Sequence, residues 1–429
     1  MKYEQIDKQL FIENRKKLAL LLDKGSLAIF NANDVMPTNA DGTMAFRQNN
    51  DLFWLSGVDQ EESLLLLYPE NPNEKEREIL FLKETSELIA IWEGAKLNKE
   101  DAFTTSGIKT IYWLDELESK LKKLIKQVDT IYLNKNIHSR ATTEVESRDD
   151  RFRKMIAEKF ASKQIKEVAP IMHDLRSVKS SIELSLMQRA CDITEKGFRR
   201  VLPFIRPGVM EYEIEAELMH EFLRNRSNGF AYQPIIASGV SSCVLHYIEN
   251  NKPCKNGDIL LMDFGAEYAN YASDLTRSVP ANGRFSVRQK AVYTAVFRVM
   301  KQATNMLRPG TIMADYHKEV GKIMESELIQ LGLLDKHDVQ KQDTENPLYK
   351  KYFMHGTSHY LGLDVHDVGN FETPMKEGMV FTCEPGIYIL KEALGIRLEN
   401  DILVTKDKPF DLMQNIPIEL EEIEDLMNA

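Results

Sequence analysis

Up to about Ala169, short apolar runs alternate along the chain with stretches of helical period. The runs GSLAIF, DLFWLSGV, SLLLLYP, EILFLK and TIYLN are separated by polar or turn-forming residues, while the stretch from Leu114 to Val128 repeats apolar residues at helical spacing. This alternation predicts an amino-terminal α/β domain. A boundary is expected near Ala169 to Asp174, where APIMHD precedes a long helical pattern that begins around Ser181 and ends before Pro207-Gly208. Residues 1–172 and 173–429 are accordingly expected to form separate domains. Within the second, FIRPGVMEYEIEAELMHEFL is echoed by MLRPGTIMADYHKEVGKIME. Each segment ends one helix at Arg-Pro-Gly and starts another, and the repetition implies an internal duplication whose two halves can enclose a site. The charged tail ELEEIEDLMN reads as a solvated amphipathic helix with no functional role.

Composition adds exclusions. The 429 residues, 43% hydrophobic and 28% charged, exceed what one hydrophobic core usually serves, which agrees with two domains. A formal charge of −11 and a pI near 5.5 oppose a phosphate-tracking surface, which needs clustered basic residues, so nucleic acid is excluded as a partner. The opening MKYEQIDKQLFIENRKK is studded with charge and holds no apolar run of signal-peptide length. No later stretch approaches a membrane-spanning length, so a soluble cytoplasmic protein without a membrane partner is expected. Cys191, Cys243, Cys254 and Cys383 are too sparse for a disulfide framework and too separated for a metal clip, and they are expected to be reduced.

The candidate chemistry is concentrated in two ribbons. In GDILLMDFGAEYANYASDLTRSV an apolar strand delivers Asp263 and a second strand delivers Asp274. Folded as a hairpin with its turn centred between Tyr268 and Ala269, the segment sets the two aspartates directly opposite each other on one side of the sheet. Two carboxylates held that close in a protein interior repel unless a proton or a cation sits between them, and a metal resolves that repulsion. MVFTCEPGIYILKEALGIRLENDILVT repeats the arrangement, pairing Glu384 with Glu399 around a turn near Lys391 and Glu392. Alternation along the strands puts Tyr388 on the face of Glu384 and Arg397 on that of Glu399. Between the ribbons, MHGTSHYLGLDVHD carries His355, His359 and His366, three of the nine histidines, and His246 lies upstream in CVLHYI. Taken singly, strand aspartates are commonly surface features and a lone histidine is commonly structural. Four carboxylates paired by register beside a glycine-rich triple-histidine segment point instead to oxygen-dominated ligation of two divalent metals. His138, His173, His220, His317 and His337 lack such context and are given no role.

These residues resemble the signature of the pita-bread metallopeptidases, the creatinase/aminopeptidase-like group that includes methionine aminopeptidases, prolidases and aminopeptidases P. The match runs over nearly the whole chain. The resemblance implies an α/β fold in which an amino-terminal α/β domain is followed by a pseudo-twofold pita-bread catalytic domain, in line with the Arg-Pro-Gly repeat. It implies that Asp263, Asp274, His359, Glu384 and Glu399 hold two divalent ions. It further implies that His246, His355 and His366 surround the substrate, where they orient the carbonyl, stabilise developing oxyanion charge and bind the peptide. Glu384 then doubles as proton shuttle, Arg397 offsets carboxylate charge, and Tyr388 lines the substrate site. AFRQNNDLFWLSGVDQEESLLLL and IAIWEGAKL resemble the companion domain of the aminopeptidases P, which methionine aminopeptidases generally lack. The expectation narrows to proline-directed enzymes.

The activity so implied is hydrolysis of the amino-terminal Xaa-Pro bond of peptides by a hydroxide that bridges the two metals. Four carboxylates and one imidazole suit hard or borderline ions. Mn2+ is expected, with Zn2+, Co2+ or Fe2+ able to substitute. Peptides with proline in second position are the expected partners, and the family's habit implies a homo-oligomer, dimer or tetramer. The runner-up is a prolidase confined to Xaa-Pro dipeptides; a non-hydrolytic pita-bread binding protein and a creatinase-like amidinohydrolase stand further off. DVGNFETPMKEGM lacks the arginine that larger relatives often carry in a longer loop, and the interval from Glu384 to Glu399 is short, which leaves the preferred peptide length open.

Overall fold

The structure, a computed structural model, describes residues 2–138 and 140–429. The chain divides into two compact units between Arg176 and Ser177, with residues 2–4 belonging to the carboxy-terminal unit.

The unit Gln5–Arg176 is built on a six-stranded sheet. Its strands are β1 (Ser26–Asn31), β2 (Leu64–Leu67), β3 (Glu78–Leu82), β4 (Thr110–Trp113), β5 (Thr130–Leu133) and β6 (Gln164–Glu167), in the order β4-β3-β2-β1-β5-β6. β1, β5 and β6 run parallel, as do β3 and β4, whereas β2 is antiparallel to both β1 and β3. The central strands β1 and β2 are buried along their whole length, which explains why they read as unbroken apolar runs rather than alternating ones. The helix Leu117–Ile125 lays Leu121, Leu124 and Ile125 against Leu27, Ile29, Leu64 and Ile79 of the sheet. One apolar run behaves otherwise: DLFWLSGV is a helix over Asn50–Ser56, capped by Asn49, whose side chain accepts from the amides of Asp51 and Leu52. A short apolar run carries no period, and here the asparagine cap decides for helix.

The unit that begins at Ser177 repeats one design. The helix Ser181–Val201, opened by a capping box between Ser180 and Glu183, leads through Arg206-Pro207-Gly208 into the helix Glu211–Arg224. The helix Val287–Met306, opened by the same device between Ser286 and Gln289, leads through Arg308-Pro309-Gly310 into the helix Met313–Gln330. Gly208 and Gly310 both sit at positive φ, 97° and 90°, in the turns between the paired helices, a backbone conformation that glycine adopts without steric cost.

Each helix pair is followed by antiparallel ribbons. The first set is β7 (Ile235–Ser238), β8 (Ile259–Phe264), β9 (Glu267–Tyr268), β10 (Tyr271–Ala272) and β11 (Leu275–Pro280), with β8 central between β11 and β7. The second is β12 (Val380–Cys383), β13 (Gly386–Ile389), β14 (Leu394–Arg397), β15 (Asn400–Leu403) and β16 (Phe410–Asp411), with β15 central between β12 and β16. An isolated bridge between Thr276 and Glu399 joins the two sets.

The second ribbon has the expected register: Gly386 pairs with Arg397 and Cys383 with Asn400, so continuing the pairing sets Glu384 opposite Glu399. The first ribbon differs from expectation. Asp263 pairs with Thr276 and Tyr268 with Tyr271, which centres the turn on Ala269 and Asn270 and leaves Asp274 opposite Gly265. The aspartates are therefore diagonal neighbours on one face rather than direct partners. The cause is turn chemistry, because both Ala269 (φ 54°) and Asn270 (φ 68°) take the left-handed conformation that a tight two-residue hairpin turn requires. Gly265 also has no room for a side chain, since a Cβ there would lie 1.7 Å from the Ser273 carbonyl oxygen.

Gly265→Ala should therefore cost about 3 kcal/mol or more in equilibrium denaturation, because the contact is with backbone and cannot relax by a rotamer change. A loss below about 0.5 kcal/mol would contradict this register.

Candidate metal centre

The two ribbons and the segment between them deliver their polar side chains to one buried place. Among the described residues, ligand-type atoms of Asp274, His359 and Glu399 all lie within 4.8 Å of one another, and all three residues are buried. Asp274 and Glu399 come from different halves of the duplication, and the Thr276–Glu399 bridge brings their strands together. Glu399 N donates to Thr276 O at 3.1 Å, and Thr276 Oγ1 donates to Glu399 Oε2 at 2.6 Å.

His359 is fixed as to tautomer. Its Nδ1 lies 3.0 Å from the Tyr360 carbonyl, which can only accept, so Nδ1 carries the proton. Nε2 then presents a bare lone pair 3.5 Å from Asp274 Oδ2 and 3.7 Å from Glu384 Oε1. A lone pair aimed at two carboxylates is repulsive unless a proton or a cation sits between them, and a backbone carbonyl fixing the far nitrogen is the usual support of a metal-ligating histidine. The donor set thus fits a divalent metal.

The ionisation of the carboxylates says the same. Burial, then the neighbouring Asp263, pushes Asp274 well above the usual carboxylate range. Burial, then Asp274 and Glu384, does the same to Glu399. Glu384 is pushed up to about 7, chiefly by burial. Added positive charge is what would favour their ionised forms.

A hydrogen-bonded chain leads away from Asp263. Arg397 Nη2 lies 2.5 Å from Asp263 Oδ2, Arg397 Nη1 donates to Tyr388 OH at 2.9 Å, and Tyr388 OH lies 2.8 Å from His355 Nε2. His355 Nδ1 faces the Gly356 carbonyl at 2.8 Å and so carries the proton, which makes Nε2 the acceptor of the tyrosine hydroxyl. Burial and the Arg397 charge lower His355 to about 3, so its ring is neutral. Burial raises Tyr388 to about 12. Glu384 Oε2 lies 3.6 Å from His355 Nδ1.

Nine of the ten residues singled out in the sequence enter these contacts directly: Asp263, Asp274, His355, His359, His366, Glu384, Tyr388, Arg397 and Glu399. His366 does so through its ring, 4.4 Å from that of His359 and nearly perpendicular to it. His246 is exposed, and it approaches the group closely enough for its charge to act on His355.

Several supporting residues escaped the sequence reading. Tyr232 places its hydroxyl between the first pair of aspartates, 2.6 Å from Asp263 Oδ1 and in contact with Asp274 Oδ1. Asp401 Oδ2 accepts from the Asp274 backbone N–H at 3.1 Å and from Cys191 Sγ at 3.4 Å. Thr382 Oγ1 accepts from the His359 N–H at 3.2 Å. Asp401 was in reach of the alternation rule, two residues beyond Glu399; nothing in the spacing of Tyr232 marks it. All four cysteines carry free thiols. Among the described residues no helix is long and apolar enough to cross a membrane.

Comparison with known proteins places these features in a group. Residues 185–406 match Metallopeptidase family M24, and residues 11–132 match the aminopeptidase P N-terminal domain. The chain is 34% identical to the Xaa-Pro aminopeptidase of Haemophilus influenzae over 99% of its own length and 98% of the relative's. It is 33% identical to the Xaa-Pro aminopeptidase of Escherichia coli, covering 99% of each. Among solved structures, the zinc-substituted E. coli aminopeptidase P in complex with product superposes with a TM-score of 0.88 at 31% identity, covering 99% of both chains.

A site whose carboxylates need positive charge should stabilise the fold when a cation is supplied. At a free divalent-ion concentration about a hundredfold above its dissociation constant, stability should rise by about 2.7 kcal/mol, seen as a higher melting temperature that chelator reverses. The rise should vanish in Asp274→Asn, whose amide cannot supply the charge. A melting temperature indifferent to Mn2+ and to chelator would remove the metal assignment.

Proposed function

The chain belongs to Metallopeptidase family M24 and is a metal-dependent aminopeptidase with the pita-bread fold, and from that premise we propose that it removes the amino-terminal residue of peptides whose second residue is proline. The observation that carries the site assignment is the His359 imidazole, its Nδ1 proton held by Tyr360 and its bare Nε2 turned toward Asp274 and Glu384. We assign the metal ligands as Asp263, Asp274, His359, Glu384 and Glu399. Divalent ions held there would polarise a peptide carbonyl and make water nucleophilic near neutral pH. The oxygen-rich set favours Mn2+.

The remaining residues bind, orient and move protons. Arg397 pairs with Asp263 and fixes Tyr388, which in turn holds the neutral His355 ring in one orientation. Glu384 lies between His359 and His355, where a carboxylate can accept a proton from the attacking water and pass it to the leaving amine. Both nitrogens of His355 are engaged within the protein. His246 and His366 are exposed and are assigned to the carbonyl and backbone of the bound peptide. The requirement for proline is supported by the relatives' activities. A cytoplasmic location, a dimeric or tetrameric assembly and functional domains at 1–172 and 173–429 complete the reading.

A panel of Xaa-Pro dipeptides, Xaa-Pro-Xaa tripeptides and their alanine counterparts, assayed with Mn2+, tests the proposal. Tripeptides should be cleaved at least as well as dipeptides, and the alanine peptides left uncut. Cleavage of dipeptides alone would identify a prolidase, and cleavage of the alanine peptides would remove the proline requirement.

His246→Ala should lower kcat by roughly a hundredfold or more while leaving metal stoichiometry and melting temperature near those of the parent. A well-folded variant with unchanged turnover would take His246 out of the mechanism.

A further inference from the structure

Behind the histidine segment, and outside the ligand set, lies an ion pair fully withdrawn from water. Lys179 Nζ is 3.3 Å from Asp367 Oδ2, and each side chain is 1% exposed. Withdrawing both charges from solvent is costly, and apolar residues of the same size are often as good for stability, so the pair is poorly explained as a source of stability alone.

What it touches suggests another role. Asp367 N donates to Tyr360 O at 2.9 Å and closes a loop that carries His366, the residue just before it. At Gly362 the loop has no room for a side chain, because a Cβ there would lie 2.1 Å from Asp367 Oδ2 and 3.0 Å from Lys179 Cε. Ala272 N donates to Gly362 O at 2.8 Å and ties the loop to the first ribbon. Lys179 is held at its other end as well: its backbone N donates to Gly378 O at 2.8 Å, and Val178 bridges Met379, just ahead of the strand β12 that leads to Glu384. The His366 ring stands against that of His359 and is carried by the backbone of this loop.

We propose that Lys179 is a positioning residue for His366: its buried ion pair with Asp367 holds the Tyr360–Asp367 loop so that the His366 imidazole stands beside His359, where the peptide binds. The inference rests on the assignment of His366 to the substrate. A loosened loop displaces an orienting group without touching the ligands, and a misplacement of about 1 Å at such a group can cost as much as a hundredfold in rate.

The experiment is a double-mutant cycle on kcat for an Xaa-Pro-Xaa tripeptide, with Mn2+ stoichiometry measured on every variant. Lys179→Met should lower kcat about tenfold or more at unchanged metal content, and in a His366→Ala background the same substitution should cost less than about twofold, because the histidine it positions is gone. Lys179→Met/Asp367→Asn, which removes both charges of the pair at nearly the same volume, guards against a misfolded single variant and should show the same loss and the same non-additivity. Losses that multiply in full across the cycle would make the pair a structural element only and overturn the proposal, as would parental turnover in the folded double variant. An unchanged kcat for His366→Ala would instead overturn the assignment of His366, and the proposal with it. A parent protein inactive on every Xaa-Pro peptide would refute the substrate reading before any variant is compared.

Discussion

Asp274, Glu384 and Glu399 are carboxylates that burial and repulsion, from one another and from Asp263, both push toward the protonated state. Left to relax, like charges in a medium of low polarity would separate or keep protons. The scaffold must therefore be stiff enough to resist the separation and must leave the deficit of positive charge unfilled, so that a divalent ion gains by entering. Arg397 supplies only part of that charge, through Asp263.

The stiffness comes from the join between the two halves. At the Thr276–Glu399 bridge the ribbons share a backbone hydrogen bond and a threonine hydroxyl. Just beyond it the Arg277 guanidinium, wholly buried, donates to Thr276 O, Glu399 O, Pro417 O and Asn400 Oδ1. Burial lowers its pKa to about 10, which still leaves it charged at neutral pH. A planar donor with five N–H groups can staple several strands through carbonyls at once, which a lysine could not do. Asp401, Thr382 and Tyr232 then hold Asp274, His359 and Asp263 by hydrogen bonds. Geometry of this kind is what a metal-dependent reaction needs, because ligands held ready cost no rearrangement when the ion and the peptide arrive.

How far these features could be read from the chain depended on whether each was local. The register of the second ribbon was legible because Glu384 and Glu399 flank one short turn, and the pairing of Gly386 with Arg397 follows from where that turn lies. The first ribbon was misjudged by one position at its turn, because the left-handed backbone of Ala269 and Asn270 leaves no mark in the apolar pattern. DLFWLSGV was ambiguous for a related reason: a buried strand and a short buried helix both read as an apolar run, and the Asn49 cap decides between them.

The sequence by itself determined the inventory: which carboxylates lie on the two ribbons, that three histidines lie between them, and that the helix–Arg-Pro-Gly–helix unit occurs twice. Periods of two and of 3.6 residues and a repeated motif are properties of neighbouring positions, so they survive in one dimension. The tertiary structure alone decided which distant groups complete the site. Tyr232 reaches Asp263, Asp401 reaches the Asp274 backbone, and Lys179 reaches Asp367 across intervals of 31, 127 and 188 residues. Such pairings have no period, because they arise only when the chain packs and every buried polar group must find a partner from whatever segment the packing brings near.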